Sequence, residues 1–281
     1  MKLIVEPSTK NNLYENTVDG LILSLKDYSV GSIVSFSLDE IKKIVKDTNI
    51  EIFININKNL MNEDIDSLSN ILIELDKLTI KGIFFYDIAL VKLKKELNLK
   101  TDLVWSQTHM VNNYRTCDYY YSKGVKYALL GKEITLEEIK EIVKKSKITS
   151  MVEVVSIPNV AFSKRKLLTN FYKDLHKEVN KDILVGEKVS NETYEVMEDD
   201  NGTSFFLEKI TNGTSIIKDL YEINTEYIIF REYKIPDFNE LLIDTKEYIK
   251  GNCLDESYIE KYKKLGDFTN FFFKKTIYKV K

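Results

Sequence analysis

This 281-residue chain has very few of the residues that build metal sites, disulfide frameworks or hydrolytic triads. It contains two cysteines, Cys117 and Cys253, and two histidines, His109 and His176. Two cysteines cannot form a disulfide framework, and neither histidine lies in a His/Cys/Glu cluster with the spacing of zinc ligands. The sequence also lacks a Gly-x-Ser-x-Gly elbow. We therefore predict no metal site and no Ser-His-Asp triad.

Glycine and proline are also scarce, at ten and three residues. The glycines form no Gly-x-Gly-x-x-Gly pattern and no phosphate loop of Walker type, so a dedicated nucleotide site has no support. No Pro/Gly/Ser-rich linker divides the chain, which favours a single domain over residues 1–281. We expect core βα units over 1–170, an inserted hairpin region over 171–210, and a final βα unit with a tail over 211–281.

Long apolar runs are missing as well, and neither sign of charge dominates. No apolar run approaches the roughly 18 residues of a membrane-spanning helix. The aromatic run Phe271–Phe273 is short, since Lys274 and Lys275 follow it at once. Lysine and arginine number 41 against 44 acidic residues, so no global basic field draws the chain to nucleic acid or membrane. A local basic patch remains open. No basic-then-apolar leader follows Met1, and we expect a cytoplasmic protein.

What the sequence does contain is a regular alternation of apolar β-type runs and helical patterns. The eight predicted strands are Leu3–Val5, Leu21–Leu25, Ile50–Ile56, Gly82–Tyr86, Leu103–Trp105, Tyr127–Leu130, Met151–Ile157 and Tyr227–Phe230. Between them, apolar residues recur at helical spacing, as at Ile65, Leu68 and Leu72. This alternation is typical of parallel strands with crossover helices. Eight strands favour an α/β, TIM-barrel-like fold, with an irregular seventh or eighth unit as the alternative.

Two local patterns add detail to this fold. Thr135 and Glu138 form a capping-box pattern, which predicts that a helix begins before Ile139. The runs Tyr194–Met197 and Ser204–Leu207 are separated by Asp199-Asp200-Asn201-Gly202, a turn sequence. We therefore expect an appended β-hairpin beside the barrel, followed by a C-terminal tail.

Polar side chains follow several of the predicted strands, at the point where each strand ends. Because α/β proteins place their chemistry at the carboxyl ends of parallel strands, these residues are the candidates for a site. The candidate catalytic residues are Lys132 and Glu133. The candidate substrate-binding residues are Asn55, Asp87, Gln107, His109, Asn112, Ser163 and Arg165. The alternative is that Asn55 and Asp87 cap loops and that Glu133 pairs with a lysine.

A short basic motif, Phe162-Ser163-Lys164-Arg165-Lys166, follows the seventh predicted strand. Its cationic side chains can hold an anionic group by charge-assisted hydrogen bonds. Equally, they can form the solvated start of a helix. His109 lies just past a strand end, whereas His176 falls in a lysine-rich segment that is predicted to be a solvated helix. Cys117 has Tyr114 and Tyr121 at helical spacing, which is typical of a small packing position.

The order of several motifs resembles that of the collagenase-like protease family, peptidase family U32. The motifs are Asp87, Ser106-Gln107 with Asn112, Lys132–Ile139, Ser163-Lys164-Arg165 and the acidic Gly-Thr turn Glu198–Thr203. The closing segment Phe273–Lys281 is similar to the ending of short members from low-GC Gram-positive bacteria. The resemblance covers most of the chain. It implies a barrel-like N-terminal fold and two reported activities: degradation of collagen or peptides, and oxygen-independent hydroxylation of tRNA, rRNA or quinone.

The chain departs from this family pattern at the iron–sulfur cluster. Related members hold the cluster with four cysteines, but Asn159 and Lys166 stand where the first two would fall. The His-Gly pair that precedes the first cysteine is replaced by Val155-Ser156. Two thiols cannot supply four ligands. We therefore expect no iron–sulfur cluster and no other cofactor in this chain.

Three functions from different classes follow, and we rank them in this order. The first is a cluster-less accessory or substrate-positioning subunit in tRNA wobble-uridine C5-hydroxylation, acting beside a longer homologous family member on tRNA. The second is a peptidase of collagenase-like type with a peptide substrate, against which stands the lack of a visible group that activates a nucleophile or water. The third is a small-molecule barrel enzyme that uses Lys132 and Glu133.

Overall fold

A closed barrel of eight parallel strands forms the body of the molecule, as the alternating pattern predicts. The computed structural model describes residues 1–14, 16–107, 109–180, 183–186, 188 and 192–266. The barrel strands are β1 (Lys2–Glu6), β2 (Gly20–Ser24), β3 (Glu51–Ile56), β4 (Gly82–Phe85), β5 (Asp102–Trp105), β6 (Tyr127–Leu129), β7 (Thr149–Ser156) and β13 (Tyr227–Arg231). Each of the eight predicted runs coincides with one of these strands.

Parallel pairing closes the barrel without a gap. Strands β1 to β7 pair in chain order, β7 pairs with β13, and β13 pairs with β1. The chain is regular from β2 to β6, where each strand is followed by a helix. It is less regular between β1 and β2, where the described residues contain no helix, and after β7, where a second sheet follows.

Nine helices lie in the described part of the chain. They are α1 (Leu38–Asp47), α2 (Asp64–Asp76), α3 (Ala89–Glu96), α4 (Tyr114–Ser122), α5 (Leu136–Lys145), α6 (Leu167–Asp174), α7 (Ile217–Glu222), α8 (Phe238–Lys250) and α9 (Glu256–Tyr262). The predicted capping box at Thr135 and Glu138 is present at the start of α5. A second capping box, formed by Ser37 and Glu40, begins α1. None of these helices is long and apolar enough to cross a bilayer.

The barrel interior is filled with side chains and is not a pore. One buried cluster lies inside the ring of strands: Ile4, Ile22, Phe53, Phe84, Val104, Tyr127, Leu129, Met151, Tyr227 and Ile229. Phe53 meets Tyr227 edge to face, with ring centroids 5.6 Å apart. Because side chains alternate along a strand, residues two positions beyond this cluster also point inward and form the rim of the barrel mouth.

The opposite, amino-terminal end of the barrel is closed by an ion-pair cluster around Glu51. Its carboxylate accepts hydrogen bonds from Lys2 Nζ at 2.6 Å and from Tyr227 Oη at 2.8 Å. Lys81 Nζ lies 3.1 Å away. Burial opposes ionisation of Glu51, but these donors lower the pKa of its carboxyl below the usual value. We assign these charge pairs to stability, because barrel chemistry is placed at the other end.

A second, antiparallel sheet lies beside the barrel mouth. Its strands are β8 (Asn159–Ser163), β9 (Ile183–Gly186), β10 (Thr193–Asp199) and β11 (Gly202–Leu207), in the order β8-β11-β10-β9. The predicted hairpin is confirmed as β10 and β11. A short strand, β12 (Thr211–Asn212), then pairs antiparallel with β7. Strand β8 lies inside the segment 1–170, so the second sheet is built from both sides of residue 170.

The acidic Gly-Thr turn holds this sheet and α6 together. Gly202 has φ +139°, and a Cβ atom there would lie 2.1 Å from the Ser163 carbonyl oxygen, so the turn requires glycine. The Glu198 carboxylate accepts hydrogen bonds from Leu168 N at 2.7 Å and from Thr203 Oγ1 at 3.0 Å. A carboxylate is favourable at a helix N-terminus, which explains the hydrogen bond from Leu168 N in the first turn of α6.

Two sequence-based predictions concern the segment around His176 and the closing segment of the chain. The placement of His176 in a helix is wrong: α6 ends at Asp174, and His176 follows in the left-handed conformation with φ +54°. Its side chain is exposed, as predicted. The closing segment Phe273–Lys281, used for the family resemblance, lies outside the described residues.

Candidate functional site

The carboxyl ends of the barrel strands surround a cavity of about 560 Å³, which the second sheet covers on one side. The polar residues of the barrel wall that line it are Glu6, Ser32, Asn55, Asn57, Tyr86, Ser106 and Arg231. The apolar residues of the cover are Ile157, Pro158, Val160, Phe162, Phe206 and Leu207. The interior residues Ile22, Phe84 and Leu129 also line it, so the cavity has a polar wall between apolar surfaces, which is the usual character of a small-molecule site.

Four charged side chains form one network at this cavity: Glu6, Lys132 and Arg231 line it, and Glu153 lies behind them. The Glu153 carboxylate accepts a hydrogen bond from Arg231 Nε at 2.6 Å and lies 2.6 Å from Lys132 Nζ. The Arg231 guanidinium also pairs with Glu6. Two cations and two carboxylates balance formally, so the network adds no net charge. Its polar surface can bind groups that both donate and accept hydrogen bonds.

Glu153 is the least accessible member of the network. Its side chain is 3% exposed, whereas that of Lys132 is 21% exposed. Ser156 Oγ donates a further hydrogen bond to Glu153 at 2.5 Å. Burial lowers the pKa of Arg231 to about 10, so its guanidinium keeps its charge at neutral pH. The two cations hold the buried carboxylate, and in turn the carboxylate orients both cations toward the cavity.

Strand geometry explains why these charges meet. Glu6, Glu153 and Arg231 each lie two residues beyond an interior core residue on the same strand, and the period of two points them inward at the mouth. In β7 the pairing register with β13 shifts after Glu153, so that Ile229 faces Glu153 and Phe230 faces Val155. This bulge bends β7 where Glu153 enters the site.

A chain of hydroxyl and amide groups extends the network along the wall of β2 and β3. Ser24 Oγ donates to Glu6 at 3.0 Å, and it accepts hydrogen bonds from Ser32 Oγ at 2.7 Å and from Asn55 Nδ2 at 3.0 Å. Asn57 fixes the loop after β2 through Val30, whose N–H donates to Asn57 Oδ1 at 2.8 Å. These groups are held in place before any ligand binds.

Four of the nine predicted site residues line the cavity. They are Asn55, His109, Lys132 and Glu133. Glu133 and His109 are exposed at the rim, and Tyr86 Oη lies 3.4 Å from His109 Nδ1. Burial raises the pKa of Tyr86 above its usual value. The alternative interpretation paired Glu133 with a lysine. Its neighbour Lys132 is not that lysine, because Lys132 pairs with Glu153.

Three of the other predicted residues support loops at the mouth. Asp87 accepts hydrogen bonds from Ala89 N at 2.9 Å and from Leu60 N at 3.0 Å, as the loop-capping alternative expected. Gln107 Oε1 accepts from Trp105 Nε1 at 2.9 Å, on the outer side of β5. Asn112 Nδ2 donates to the His109 carbonyl oxygen at 2.9 Å. None of the three lines the described cavity.

The basic motif lies on the outside of the second sheet. Ser163 Oγ accepts a hydrogen bond from Arg165 N at 3.2 Å, and the Arg165 carbonyl accepts one from Thr203 Oγ1 at 2.8 Å. The Arg165 side chain is exposed, and Lys166 Nζ pairs with Asp200 at 2.8 Å. Neither Ser163 nor Arg165 is among the described lining of the cavity. The motif's backbone is fixed by the Gly-Thr turn, while its cations face solvent.

Both cysteines lie among packed side chains outside the barrel. Cys117 is in α4, where burial raises the pKa of its thiol to about 12. Cys253 follows α8, and burial raises the pKa of its thiol to about 11. Neither lines the described cavity, and the described residues contain no group of three or more His, Cys, Asp or Glu side chains placed to hold a metal ion.

Sequence reasoning missed Glu6, Glu153 and Arg231, although a signal for each exists. Glu6 directly follows the first predicted strand and Arg231 directly follows the eighth, so the rule that selected Asn55 also applies to them. Glu153 interrupts the apolar run Met151–Ile157. A charge inside a buried strand is rare unless it is paired, and this marks it as a candidate.

Comparison with known proteins gives one family and one fold. The family model described as "Peptidase family U32" matches residues 7–233. A curated relative, "tRNA hydroxylation protein P2" of Bacillus subtilis (strain 168), is 24% identical over 308 aligned residues, which cover 99% of each chain. The solved structure of "the U32 peptidase Mk0906" has a TM-score of 0.53 and 14% identity, covering 84% of this chain and 94% of that one. The structural likeness supports the barrel fold.

Proposed function

Because this chain belongs to peptidase family U32, we propose that it positions a uridine of tRNA for C5-hydroxylation at the wobble position, as an accessory subunit beside a longer family member. The observation that carries the proposal is the covered cavity lined by Lys132, Arg231 and Glu6, which the buried Glu153 joins into one paired cluster. The full-length relative named for tRNA hydroxylation supports the choice of substrate class.

The cavity is suited to a single nucleoside. Its volume of about 560 Å³ falls in the usual range for small-molecule sites. A uracil edge carries one N–H donor between two carbonyl acceptors, and the Ser32 hydroxyl and the Asn55 amide, which line the cavity, offer both kinds of partner. The apolar cover offers Pro158 and Phe206 to the face of the ring. A base of an anticodon loop is already free of a duplex, so its entry costs less than flipping a paired base.

The donor set supports the accessory role. An iron–sulfur cluster of the kind that related members carry needs four thiolate ligands, and this chain has two cysteines. Both thiols are buried with raised pKa values, which disfavours the thiolate that would bind iron. Asn159 and Lys166 occupy the positions expected for the first two ligands, at the start of β8 and at the N-cap of α6. In this proposal the redox centre belongs to the partner.

One observation favours a second candidate, a small-molecule enzyme acting in the same cavity. Lys132 presents an ammonium to the cavity, held by a buried carboxylate, and Glu133 lies next to it in the chain. An oriented ammonium can stabilise a developing negative charge on a bound substrate. This candidate predicts that a metabolite raises the melting temperature of the purified protein and that Lys132→Met abolishes the shift.

The test of the leading proposal is deletion of the gene followed by mass spectrometry of the nucleosides of total tRNA. We expect hydroxylated wobble-uridine derivatives to disappear in the deletion strain and to return when the wild-type gene is supplied. Complementation with Lys132→Met or Arg231→Met should fail, because each removes a cation from the cavity. An unchanged nucleoside profile on deletion would refute the proposal.

Arg165→Ala is the informative comparison in the same complementation. The cavity lining does not include Arg165, so we expect this variant to restore modification as the wild type does. If Arg165→Ala failed to restore modification and Lys132→Met succeeded, the substrate-binding region would be the basic motif and not the cavity. Western blotting of each variant checks that the protein levels are equal.

A further inference from the structure

A groove of about 720 Å³ runs along the outside of the barrel between α3 and α4. Four lysines line it: Lys92, Lys94, Lys95 and Lys123. Two tyrosines, Tyr119 and Tyr120, form part of its α4 side. We call these six residues the lysine groove. None of the described residues that line the groove is a carboxylate. The groove is therefore a local basic surface on a chain whose formal net charge is −3.

The charges of the lysine groove are available to a ligand. Lys95 and Lys123 are exposed. Lys92 lies 3.4 Å from Glu96, but both side chains are more than half exposed, at 79% and 53%, so this surface pair is weak and exchangeable. Lys94 is different, because its ammonium donates a hydrogen bond to the Thr101 carbonyl at the base of the groove. The side chains of Lys92, Lys95 and Lys123 can thus reorient to bind an anion.

Aromatic rings give the groove a second feature. Tyr119 is 53% exposed, and its ring meets Tyr120 edge to face at 5.6 Å. Tyr120 is itself fixed by stacking on Trp105, with centroids 4.0 Å apart. The Lys123 ammonium lies 5.3 Å from the centre of the Tyr119 ring. Tyr119 is thus an exposed ring held by the buried Tyr120, with the Lys123 ammonium beside it. Such a ring is suited to stack on an unpaired base next to a phosphate chain.

The upper end of the lysine groove adjoins the mouth of the cavity. Ile88 lines the groove at the start of α3 and is 55% exposed, and Tyr86, two residues earlier, lines the cavity. The eight residues of α3 span about 12 Å. This length corresponds to about three stacked nucleotides of one strand. A strand whose base enters the cavity can therefore continue directly onto the lysine groove.

We propose that the lysine groove binds the sugar–phosphate backbone of the RNA next to the nucleotide held in the cavity, with Tyr119 stacking on one unpaired base. Lys92, Lys95 and Lys123 contact phosphates, and Lys94 keeps α3 in place. The identity of this RNA as tRNA rests on the proposed function. The groove's affinity for an RNA loop is independent of the proposed function, since it depends on the charges and the exposed ring of the groove itself.

The test is fluorescence anisotropy with the full-length protein and a labelled anticodon stem-loop RNA that carries uridine at the wobble position. The triple variant Lys92→Ala, Lys95→Ala, Lys123→Ala should bind at least tenfold more weakly. The slope of log K against log salt should fall by about 2, since each single-strand phosphate contact contributes about 0.7. Tyr119→Ala should weaken binding without changing that slope, because stacking releases no counterions.

The matched control removes three exposed lysines elsewhere: Lys43→Ala, Lys46→Ala, Lys218→Ala. It changes the net charge equally and should leave binding within about twofold. An equal loss in both triple variants, or no loss in either, would overturn the proposal. So would full displacement of the RNA by an acidic peptide of equal charge, because that result would make the groove a site for an acidic protein. Equal melting temperatures establish that all variants are folded.

The two proposals fail in different ways. Loss of RNA binding in the lysine-groove variant, together with an unchanged tRNA nucleoside profile on gene deletion, would refute the proposed function and retain an RNA groove. Loss of modification on deletion, together with unchanged RNA binding by the groove variant, would refute the groove and retain the function.

Discussion

The Lys132 ammonium lies 2.6 Å from the Glu153 carboxylate, across the gap between the end of β6 and the middle of β7. Glu153 is buried, and its carboxylate also pairs with Arg231 Nε at 2.6 Å. Lys132 and Arg231 therefore share one buried partner, and both cations line the cavity. This contact assigns Lys132 a defined position, which sequence spacing to Glu133 alone did not.

Glu153→Gln should destabilise the protein, because it removes the buried carboxylate that Lys132 and Arg231 share and leaves Lys132 without its described partner. We expect the free energy of unfolding to fall by about 3 kcal/mol, the lower end of what breaking a buried ion pair costs. Urea denaturation followed by circular dichroism measures this loss. Glu133→Gln at the exposed rim is the matched control and should change stability by less than about 0.5 kcal/mol. Equal effects of the two variants would contradict the assigned network.

The ion pairs at the amino-terminal end of the barrel predict a pH dependence of stability. The pKa of Glu51 is lowered in the folded protein, so its contribution is present above the unfolded-state pKa of about 4.3 and is lost as pH falls through the folded-state pKa. Glu51→Gln should therefore lower stability at pH 7 and make it less sensitive to acid. Urea midpoints measured from pH 7 downward check this. A variant that loses stability in parallel with the wild type would show that Glu51 does not titrate as assigned.

The turn glycine of the second sheet provides a test of backbone strain. Gly202→Ala places a Cβ atom 2.1 Å from the Ser163 carbonyl at φ +139°, and we expect it to cost about 1–3 kcal/mol of stability. Gly186→Ala is the matched control, since its Cβ atom would meet no described atom within 4 Å. Thermal melting of both variants measures the difference. Similar melting temperatures would mean that the turn tolerates a side chain.

Both thiols should be unreactive in the native protein. Burial holds the pKa of Cys117 near 12 and that of Cys253 near 11, so the thiolate fraction at pH 8 is very small and the sulfur atoms are shielded. Labelling with iodoacetamide at pH 8, followed by intact-mass spectrometry, should show no modified cysteine before denaturant is added and two afterwards. Rapid labelling of the native protein would contradict the packing described for either site.

Much of the barrel is predictable from the sequence because its strands are buried on both faces. Such strands give continuous apolar runs, and each of the eight runs corresponds to a barrel strand. The capping box at Thr135 and the hairpin turn before Gly202 are predictable for a similar reason, since both depend on contacts between near neighbours in the chain. The predicted helical position of His176 failed because a lysine-rich segment has no apolar period to show where its helix ends.

The candidate site is less predictable. Position at or after a strand end selected Asn55 and Lys132, which line the cavity, but it also selected Gln107, whose amide turns to the indole of Trp105 on the outer face. A position in the chain places a residue near the mouth without giving the direction of its side chain. That direction depends on strand alternation, on the bulge in β7 and on which neighbour offers a partner.

The fold class, the barrel strands and the small number of thiols can be read from the chain alone, because they depend on hydrophobic periodicity and composition. Which charges meet depends on the folded barrel. Glu6, Lys132, Glu153 and Arg231 are far apart in the chain, and closing the barrel brings β1 beside β13 and β13 beside β7. Burial at that point makes each charge depend on the others, because a buried ion is stable only with a partner.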